Sequence, residues 1–344
     1  MYPVLIGEGV WALPSYFTMV MLGFFIGSLL LRREAIRVGN FDPVKIIDLC
    51  FVLILASIVG ARLAHVLFDG FLMDYVWLCV DPDKLAEPLP SGKACVDSAQ
   101  CIAAQNQGYN IGNQCIEGQC IPERSCLRPL MFWAGGLTYY GGLILALITT
   151  YFFAKRQKWP LLKLSDLGAP VISLGLVFGR AGCFLAGCCF GKVTDMPWGI
   201  RFPQYSDAWK RHRELFYDQL VAQHKEIGEW LSLPVHPTQL YELFGALIIF
   251  IYLWVTRKKV LYPGQKIATF LISYGILRFI IEFWRDDDRG GVLLSTSQWI
   301  SIPMVILGII LVVHGRRKLK MKDETDETAN SDPNSHDQDE NASS

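Results

Sequence analysis

An arginine and three cysteines lie together in GRAGCFLAGCCFG, which runs from Gly179 to Gly191 at the end of an apolar stretch. An arginine within hydrocarbon is costly, and such residues usually mark functional sites. The three thiols suggest metal or redox chemistry, but their spacing does not match the CxxC pattern of zinc or redox sites. Cys183, Cys188 and Cys189 therefore either pack as small apolar side chains, form a disulfide, or supply a nucleophilic thiol.

Other ionisable residues also interrupt apolar stretches. Arg62 lies in SIVGARLAHVLF, and Arg278 and Glu282 lie in YGILRFIIEFWR. Residues four apart share a helical face, so Arg278 and Glu282 could form an ion pair that only holds helices together. Three arginines in separate stretches instead favour an anionic ligand, because a planar guanidinium binds phosphate through two hydrogen bonds. These residues predict a site for an anionic lipid headgroup.

Two polar motifs accompany the arginines. WAGGLTYYGG, from Trp133 to Gly142, places glycines inside an apolar stretch, where they permit either close helix packing or a polar cavity. HPTQLYE, from His236 to Glu242, has the composition of a helix start, with Glu242 near the positive end of the helix dipole. His236 alone is more typical of an interfacial residue than of a catalyst.

The segments that carry these residues are long enough to cross a membrane. Of 344 residues, 52% are hydrophobic and 19% are charged, which is less charge than soluble domains carry. A span needs about 20 apolar residues, and lipid favours helices because every backbone polar group must be satisfied internally. Seven helical spans are predicted: Pro14–Leu31, Ile46–Phe68, Leu130–Ala154, Leu167–Phe190, Gln239–Val255, Ile267–Trp284 and Trp299–His314. The fold class is an all-α integral membrane protein.

Loop charges predict the orientation. Lysine and arginine cluster after the first, third, fifth and seventh spans, as the positive-inside rule requires of cytoplasmic segments. The N-terminus is therefore expected outside and the C-terminus inside. No cleavable signal peptide is evident. The formal net charge is zero and no basic stripe is present, so a nucleic-acid partner is not expected.

Most of the cysteines fall in one outward-facing loop. An oxidising compartment favours three disulfides there, although six cysteines permit 15 pairings. The candidates are Cys79, Cys95, Cys101, Cys115, Cys120 and Cys126. The predicted organisation is a first transmembrane part (1–78), a Cys-rich periplasmic insertion (79–128), a second transmembrane part (129–316) with a periplasmic loop (191–238), and a disordered cytoplasmic tail (317–344), whose composition is acidic and Ser/Asn-rich.

Taken in order, the motifs resemble one known family. GARL, GGLTYYGG, GRAGCFLAGCCFG, HPTQLYE, YGILRFIIEFWR and SQWISIPM together are similar to the bacterial prolipoprotein diacylglyceryl transferases. The most specific elements are the GRxG block and HPxQLYE. The resemblance covers roughly Gly7 to Gly315, apart from the Cys-rich insertion.

The resemblance implies an activity and a location. The expected reaction transfers a diacylglyceryl group from phosphatidylglycerol to the lipobox cysteine of a prolipoprotein signal peptide, and releases glycerol phosphate. The expected location is the bacterial inner membrane, where membrane lipids and prolipoproteins are the partners. No metal or cofactor is expected, because the lipid phosphate is itself the leaving group.

The resemblance also implies residue roles. Arg180 and Arg278 are expected to bind the phosphate and stabilise charge on it, with Glu282 holding Arg278 in place. Tyr140 occupies the position of the family's catalytic histidine. The implied substrate-binding residues, besides Arg180, are Tyr16, Tyr274, Gly191, His236 and Glu242.

Two departures from the family pattern stand out. An unperturbed tyrosine is a poor base near neutral pH, so either arginines stabilise a Tyr140 phenolate, or Glu242 or the lipid phosphate accepts the thiol proton. Cys183 and Cys188 replace an asparagine and an acidic residue of the family. A homologue with an altered acceptor or lost activity is the main alternative; a transporter or a thiol oxidoreductase is less favoured, because internal repeats and CxxC motifs are missing.

Overall fold

The chain folds into two compact units. The first comprises residues 1–43 and 159–344, and the second comprises residues 44–158. The computed structural model describes residues 4–6, 13–89, 92–106, 111–131, 136, 138–204, 206–286 and 294–330.

Helices dominate both units. The elements in chain order are β1 (Val4–Ile6), β2 (Leu13–Pro14), α1 (Ser15–Val38), α2 (Pro43–Phe68), α3 (Leu72–Val80), α4 (Ser98–Asn106), β3 (Gln114–Ile116), β4 (Gln119–Ile121), α5 (Tyr139–Arg156), α6 (Leu161–Ala186), α7 (Asp207–Leu215), α8 (Tyr217–Ile227), α9 (Thr238–Val255), α10 (Gln265–Ile281) and α11 (Thr296–Asn330). The strands form two short antiparallel hairpins, β1–β2 and β3–β4.

Within the described residues, six helices are long and apolar enough to cross a membrane: α1, α2, α6, α9, α10 with its following turn, and α11. Large apolar side chains on them, such as Phe51 (62% exposed) and Ile248 (68% exposed), face outward as lipid contact requires. The prediction of an all-α membrane protein is confirmed. The remaining predicted span, Leu130–Ala154, corresponds to α5, which has 18 residues and ends in Lys155 and Arg156; residues 132–135 and 137 of that span lie outside the described part.

The first unit is built around α6, which packs against α1, α9 and α10, while α10 also packs against α9 and α11. Glycines allow these close approaches. A Cβ on Gly23 of α1 would lie 2.6 Å from the Phe178 Cβ of α6, and one on Gly275 of α10 would lie 2.7 Å from Val305 of α11. Helices in lipid gain little from apolar burial, so such close backbone packing is what holds them together.

The second unit contains the Cys-rich segment. Its three disulfides are Cys79–Cys126, Cys95–Cys115 and Cys101–Cys120, which confirms the predicted disulfides and selects one pairing. The hairpin β3–β4 turns through Glu117 and Gly118, both at positive φ, as a two-residue hairpin turn requires. Cys95, Cys101 and Cys120 are buried, and the disulfides thus form a core that this short segment could not build from apolar side chains alone.

The last helix is longer than the predicted span. It continues to Asn330, so residues 317–330 are helical where the composition predicted a disordered tail. Lys320 and Glu324 are one helical turn apart and form an ion pair of 3.7 Å between Nζ and Oε1, a pairing that supports an exposed helix. Residues 331–344 of the predicted tail lie outside the described part.

The segment 191–238 is folded and holds a buried histidine. Its helix α7 contributes Ala208 to a small apolar core that also includes Phe202 and Val235. His212 is completely buried, and its Nδ1 accepts a hydrogen bond of 3.0 Å from the backbone N–H of Leu233. Burial, together with the positive charge of Arg211, lowers the pKa of His212 to about 4.

This histidine makes stability depend on pH. Below pH ~6.5 the unfolded chain binds a proton at His212 that the folded chain binds only near pH 4, so stability falls between those values by about 3 kcal/mol. The expected result is a melting temperature in detergent that drops from pH 7 to pH 5. The control is His212→Asn, which keeps an acceptor for Leu233 but does not titrate. An equally steep drop in His212→Asn would contradict the assignment.

Candidate active site

A buried carboxylate joins two of the predicted arginines. Glu242, on the second turn of α9, is completely buried. Its Oε1 lies 2.9 Å from Arg180 Nη2 on α6, and its Oε2 lies 3.4 Å from Arg278 Nη1 on α10. The hydroxyl of Tyr274 donates a hydrogen bond of 2.7 Å to the same Oε1. The side chains of three helices, α6, α9 and α10, thus meet at the Glu242 carboxylate.

Arg278 has further partners. Its Nη2 lies 2.8 Å from Glu282 Oε2, so the ion pair predicted from their four-residue spacing is confirmed. The same nitrogen donates a hydrogen bond of 2.8 Å to the Ser297 hydroxyl on α11. Arg278 therefore contacts side chains of α9, of α11 and of the turn that follows α10. These contacts fix the plane of its guanidinium.

A third arginine joins this cluster. Arg285 adds a third guanidinium, with its Nε 3.9 Å from Glu282 Oε2. Three arginines therefore face two carboxylates, Glu242 and Glu282. All five are nearly or fully buried except Arg180, whose side chain is 18% exposed. Arg180 is therefore the member of the cluster that is most open to a ligand.

Tyr16 and Gly191, which are also predicted to bind substrate, make packing and backbone contacts in the first unit. Tyr16, at the start of α1, packs against α6: a Cβ on Gly182 would lie 3.1 Å from the Tyr16 backbone and ring. Gly191 donates its N–H to the His236 carbonyl (2.9 Å), and a Cβ there would lie 2.5 Å from the Trp284 carbonyl oxygen. Glycine at position 191 therefore allows its backbone to lie close to the backbones of His236 and Trp284.

His236 belongs to a separate polar group. Its Nδ1 lies 3.2 Å from the Tyr241 hydroxyl, which also accepts a hydrogen bond of 2.9 Å from Trp198 Nε1. Among the described contacts, the imidazole touches neither Glu242 nor the arginines. The roles predicted for Gly191 and His236 in binding stay predictions.

Arg62 and Tyr140 belong to the second unit. The Arg62 guanidinium donates to the carbonyls of Arg128 (2.6 Å), Pro129 (2.8 Å) and Gly136 (3.1 Å). These contacts give Arg62 a structural part, and its predicted contribution to phosphate binding stays a prediction. Tyr140, in the first turn of α5, packs edge-on against Tyr139, and its role as a proton acceptor stays a prediction.

A carboxylate near this start of α5 was not anticipated from the sequence. The Thr138 hydroxyl donates a hydrogen bond to Asp69, and His65 Nδ1 lies 2.9 Å from the same carboxylate. The Thr138 hydrogen bond is the main reason that the pKa of Asp69 lies below its ordinary value. Asp69 therefore anchors the residue that precedes α5.

Two residues of the arginine cluster were missed at the sequence level. Arg285 ends the quoted motif YGILRFIIEFWR, and Ser297 begins SQWISIPM. Arg285 is followed by Asp286, Asp287 and Asp288, a composition typical of an exposed charged loop. The signal that could have found it is the spacing from Glu282, which places the two on adjacent turns.

Comparison with known proteins identifies the family of this chain. The family model described as prolipoprotein diacylglyceryl transferase matches residues 3–87 and 121–314. The chain belongs to the prolipoprotein diacylglyceryl transferase family. It is therefore a transferase, and with its apolar helices a multi-pass membrane protein. The unmatched residues 88–120 fall inside the predicted Cys-rich insertion, 79–128.

Individual relatives match along most of their length. A phosphatidylglycerol–prolipoprotein diacylglyceryl transferase of Neisseria gonorrhoeae (strain NCCP11945) is 32% identical over 322 residues, covering 90% of this chain and 93% of its own. The relative from Neisseria meningitidis strain FAM18 is 33% identical with the same coverage. The relative from Cupriavidus metallidurans is 29% identical over 325 residues, covering 92% of this chain and 94% of its own.

Proposed function

We propose that this transferase moves the diacylglyceryl group of phosphatidylglycerol to the thiol of a prolipoprotein's lipobox cysteine, in the bacterial inner membrane. The sulfur forms a bond to the glycerol carbon that carries the phosphate, and the bond between that carbon and the phosphate oxygen breaks. Glycerol phosphate leaves, and the thiol proton is transferred to a base. The relatives' names and the arginine cluster support this proposal.

The observation that carries the proposal is the pair of guanidiniums held by Glu242. A phosphodiester lipid bears one negative charge, which the partly exposed guanidinium of Arg180 can bind. During cleavage a second negative charge develops on the leaving phosphate, and fixed cations in a dry site stabilise it without reorganising. Arg180, the more exposed arginine, is assigned to the headgroup, and the buried Arg278 to the developing charge.

Glu242 is assigned a positioning role rather than that of a base. One of its oxygens accepts from Arg180 and Tyr274, and the other faces Arg278, so the carboxylate is already engaged on both oxygens. This contact pattern disfavours Glu242 as the proton acceptor and leaves Tyr140 or the lipid phosphate for that part.

The experiment that tests the function uses purified protein, labelled phosphatidylglycerol and a lipobox peptide. Label should appear on the cysteine peptide and not on a matched serine peptide, with release of glycerol phosphate. The same protein should restore prolipoprotein modification in a strain depleted of its own transferase. Well-expressed protein that fails both assays would support the alternative, a homologue with an altered acceptor or lost activity.

Tyr140→Phe tests the proton step. If the phenol accepts the thiol proton, its loss should lower kcat about 10²-fold, the scale of general base catalysis, with little change in KM for the lipid. The decrease should shrink at higher pH, where the peptide thiol ionises without help. Tyr139→Phe on the neighbouring residue is the matched control. Unchanged kcat in Tyr140→Phe would assign the proton to the leaving phosphate.

A further inference from the structure

The geometry points to a three-thiolate site for a soft metal ion such as Cu(I), formed by Cys183, Cys188 and Cys189. The sulfur atoms of these residues lie within 4.8 Å of one another, and none is in a disulfide. A metal about 2.3 Å from three coplanar sulfurs separates them by about 4 Å, so the cluster needs only small side-chain adjustments. Soft thiolate ligands select Cu(I) or zinc, and the described residues bring three thiols together, which suits the lower coordination number of Cu(I) better than tetrahedral zinc.

The backbone explains why adjacent cysteines converge. α6 ends at Ala186, and Gly187 at φ +75° reverses the chain back over the last helical turn, which contains Cys183. Cys189 also has a positive φ, +61°, which is uncommon for a side chain other than glycine. This turn places Cys188 and Cys189 beside Cys183, which the sequence spacing alone did not indicate.

Two buried side chains hold this turn in place. The Thr238 hydroxyl donates a hydrogen bond of 3.0 Å to the Cys189 carbonyl, and the Gln239 amide donates one of 2.8 Å to the Cys188 carbonyl. Both donors are completely buried at the start of α9. The ligand geometry is therefore fixed before a metal binds, which lowers the entropic cost of binding.

The surrounding charges suit a thiolate complex. Binding of Cu(I) by three thiols releases three protons and leaves a complex with two negative charges. Arg180 and Arg285 both interact electrostatically with Cys189 and would offset this charge.

Occupancy is expected to affect catalysis, and this part rests on the proposed function. Cys183 lies three residues after Arg180 on α6, within one helical turn. Tyr16 packs against Gly182, which lies between them. A complex with two negative charges beside Arg180 would compete electrostatically with the lipid phosphate. We expect Cu(I) to raise KM for phosphatidylglycerol.

The test is a Cu(I) titration of full-length protein in detergent, with ascorbate as reductant because it spares the disulfides, against a chromophoric Cu(I) chelator. Wild type and Cys50→Ser, which removes the remaining cysteine outside the three disulfides, should each bind one equivalent of Cu(I) at this site. Cys188→Ala should bind Cu(I) at least ~10-fold more weakly than wild type. The triple variant, with serine in place of Cys183, Cys188 and Cys189, should not bind Cu(I) at this site. If the folded triple variant still binds one equivalent of Cu(I), the proposal is overturned.

Two further measurements distinguish a failure of the metal site from a failure of the proposed function. Copper-edge X-ray absorption of wild-type protein should show three sulfur ligands; a shell of nitrogen or oxygen would overturn the proposal without relying on any variant. Transfer assays should show Cu(I) inhibition in wild type and Cys50→Ser. Protein that binds copper through three sulfurs but transfers no lipid would count against the proposed function and leave the metal site standing.

Discussion

Arg278→Ala is expected to lower kcat for diacylglyceryl transfer about 10³-fold, the upper scale for removing one preorganised donor of charge stabilisation. Arg278 is the buried guanidinium that contacts Glu242, Glu282 and Ser297, so its loss removes a cation and leaves two carboxylates short of a partner. Arg278→Lys keeps the charge but cannot reach three partners in one plane, and it should recover little activity. The measurement is kcat and KM with labelled phosphatidylglycerol.

The matched control for this prediction is Arg257→Ala. Arg257 belongs to the same unit and also pairs with a buried carboxylate, with its Nε 3.0 Å from Glu34 Oε1. It has no contact with the described arginine cluster, so its loss should leave kcat near the wild-type value. Activity of Arg278→Ala within about 10-fold of wild type would remove Arg278 from the chemical step.

Glu242→Gln is expected to destabilise the protein by about 3–5 kcal/mol, the usual cost of breaking a buried ion pair by removing one partner. The substitution keeps the shape of the side chain but leaves Arg180 and Arg278 facing each other without the negative charge between them. Transfer should fall as well, because the two guanidiniums would move apart. The measurements are the melting temperature in detergent and the rate of transfer.

A second substitution distinguishes charge balance from general misfolding. In Arg180→Gln/Glu242→Gln one cation is removed with the anion, so part of the lost stability should return, while activity stays low because the headgroup contact is gone. The expected coupling between the two positions is about 0.5–3 kcal/mol in favour of the double variant. Additive loss of stability would show that Glu242 does not hold the arginines together.

The arginine cluster also gives a reason for the position of each motif. HPTQLYE supplies the carboxylate, GRAGCFLAGCCFG and YGILRFIIEFWR supply the cations, and SQWISIPM supplies a hydroxyl. The helices that carry these motifs pack against one another, and the glycines Gly245 and Gly275 allow close contact with Leu277 and Val305.

The sequence by itself determined the class of the protein and pointed to most residues of the arginine cluster. Long apolar stretches require helices because lipid offers no hydrogen bonds to the backbone, and ionisable residues inside them are too costly to be accidental. The four-residue spacing of Arg278 and Glu282 predicted their ion pair. Six cysteines in one outward loop predicted disulfides, but not which cysteines pair, because spacing carries no information about the turn that joins β3 to β4.

Only the tertiary structure decided which charges meet. Glu242 faces Arg180 and Arg278 because α6, α9 and α10 cross at that point, and periodicity within one helix cannot reveal such a contact. Arg62 had the same sequence signature as Arg180, yet backbone carbonyls of its own unit take up its donors. The three thiols of GRAGCFLAGCCFG converge because the chain reverses at Gly187 and Cys189, a backbone path set by hydrogen bonds from α9 rather than by residue spacing.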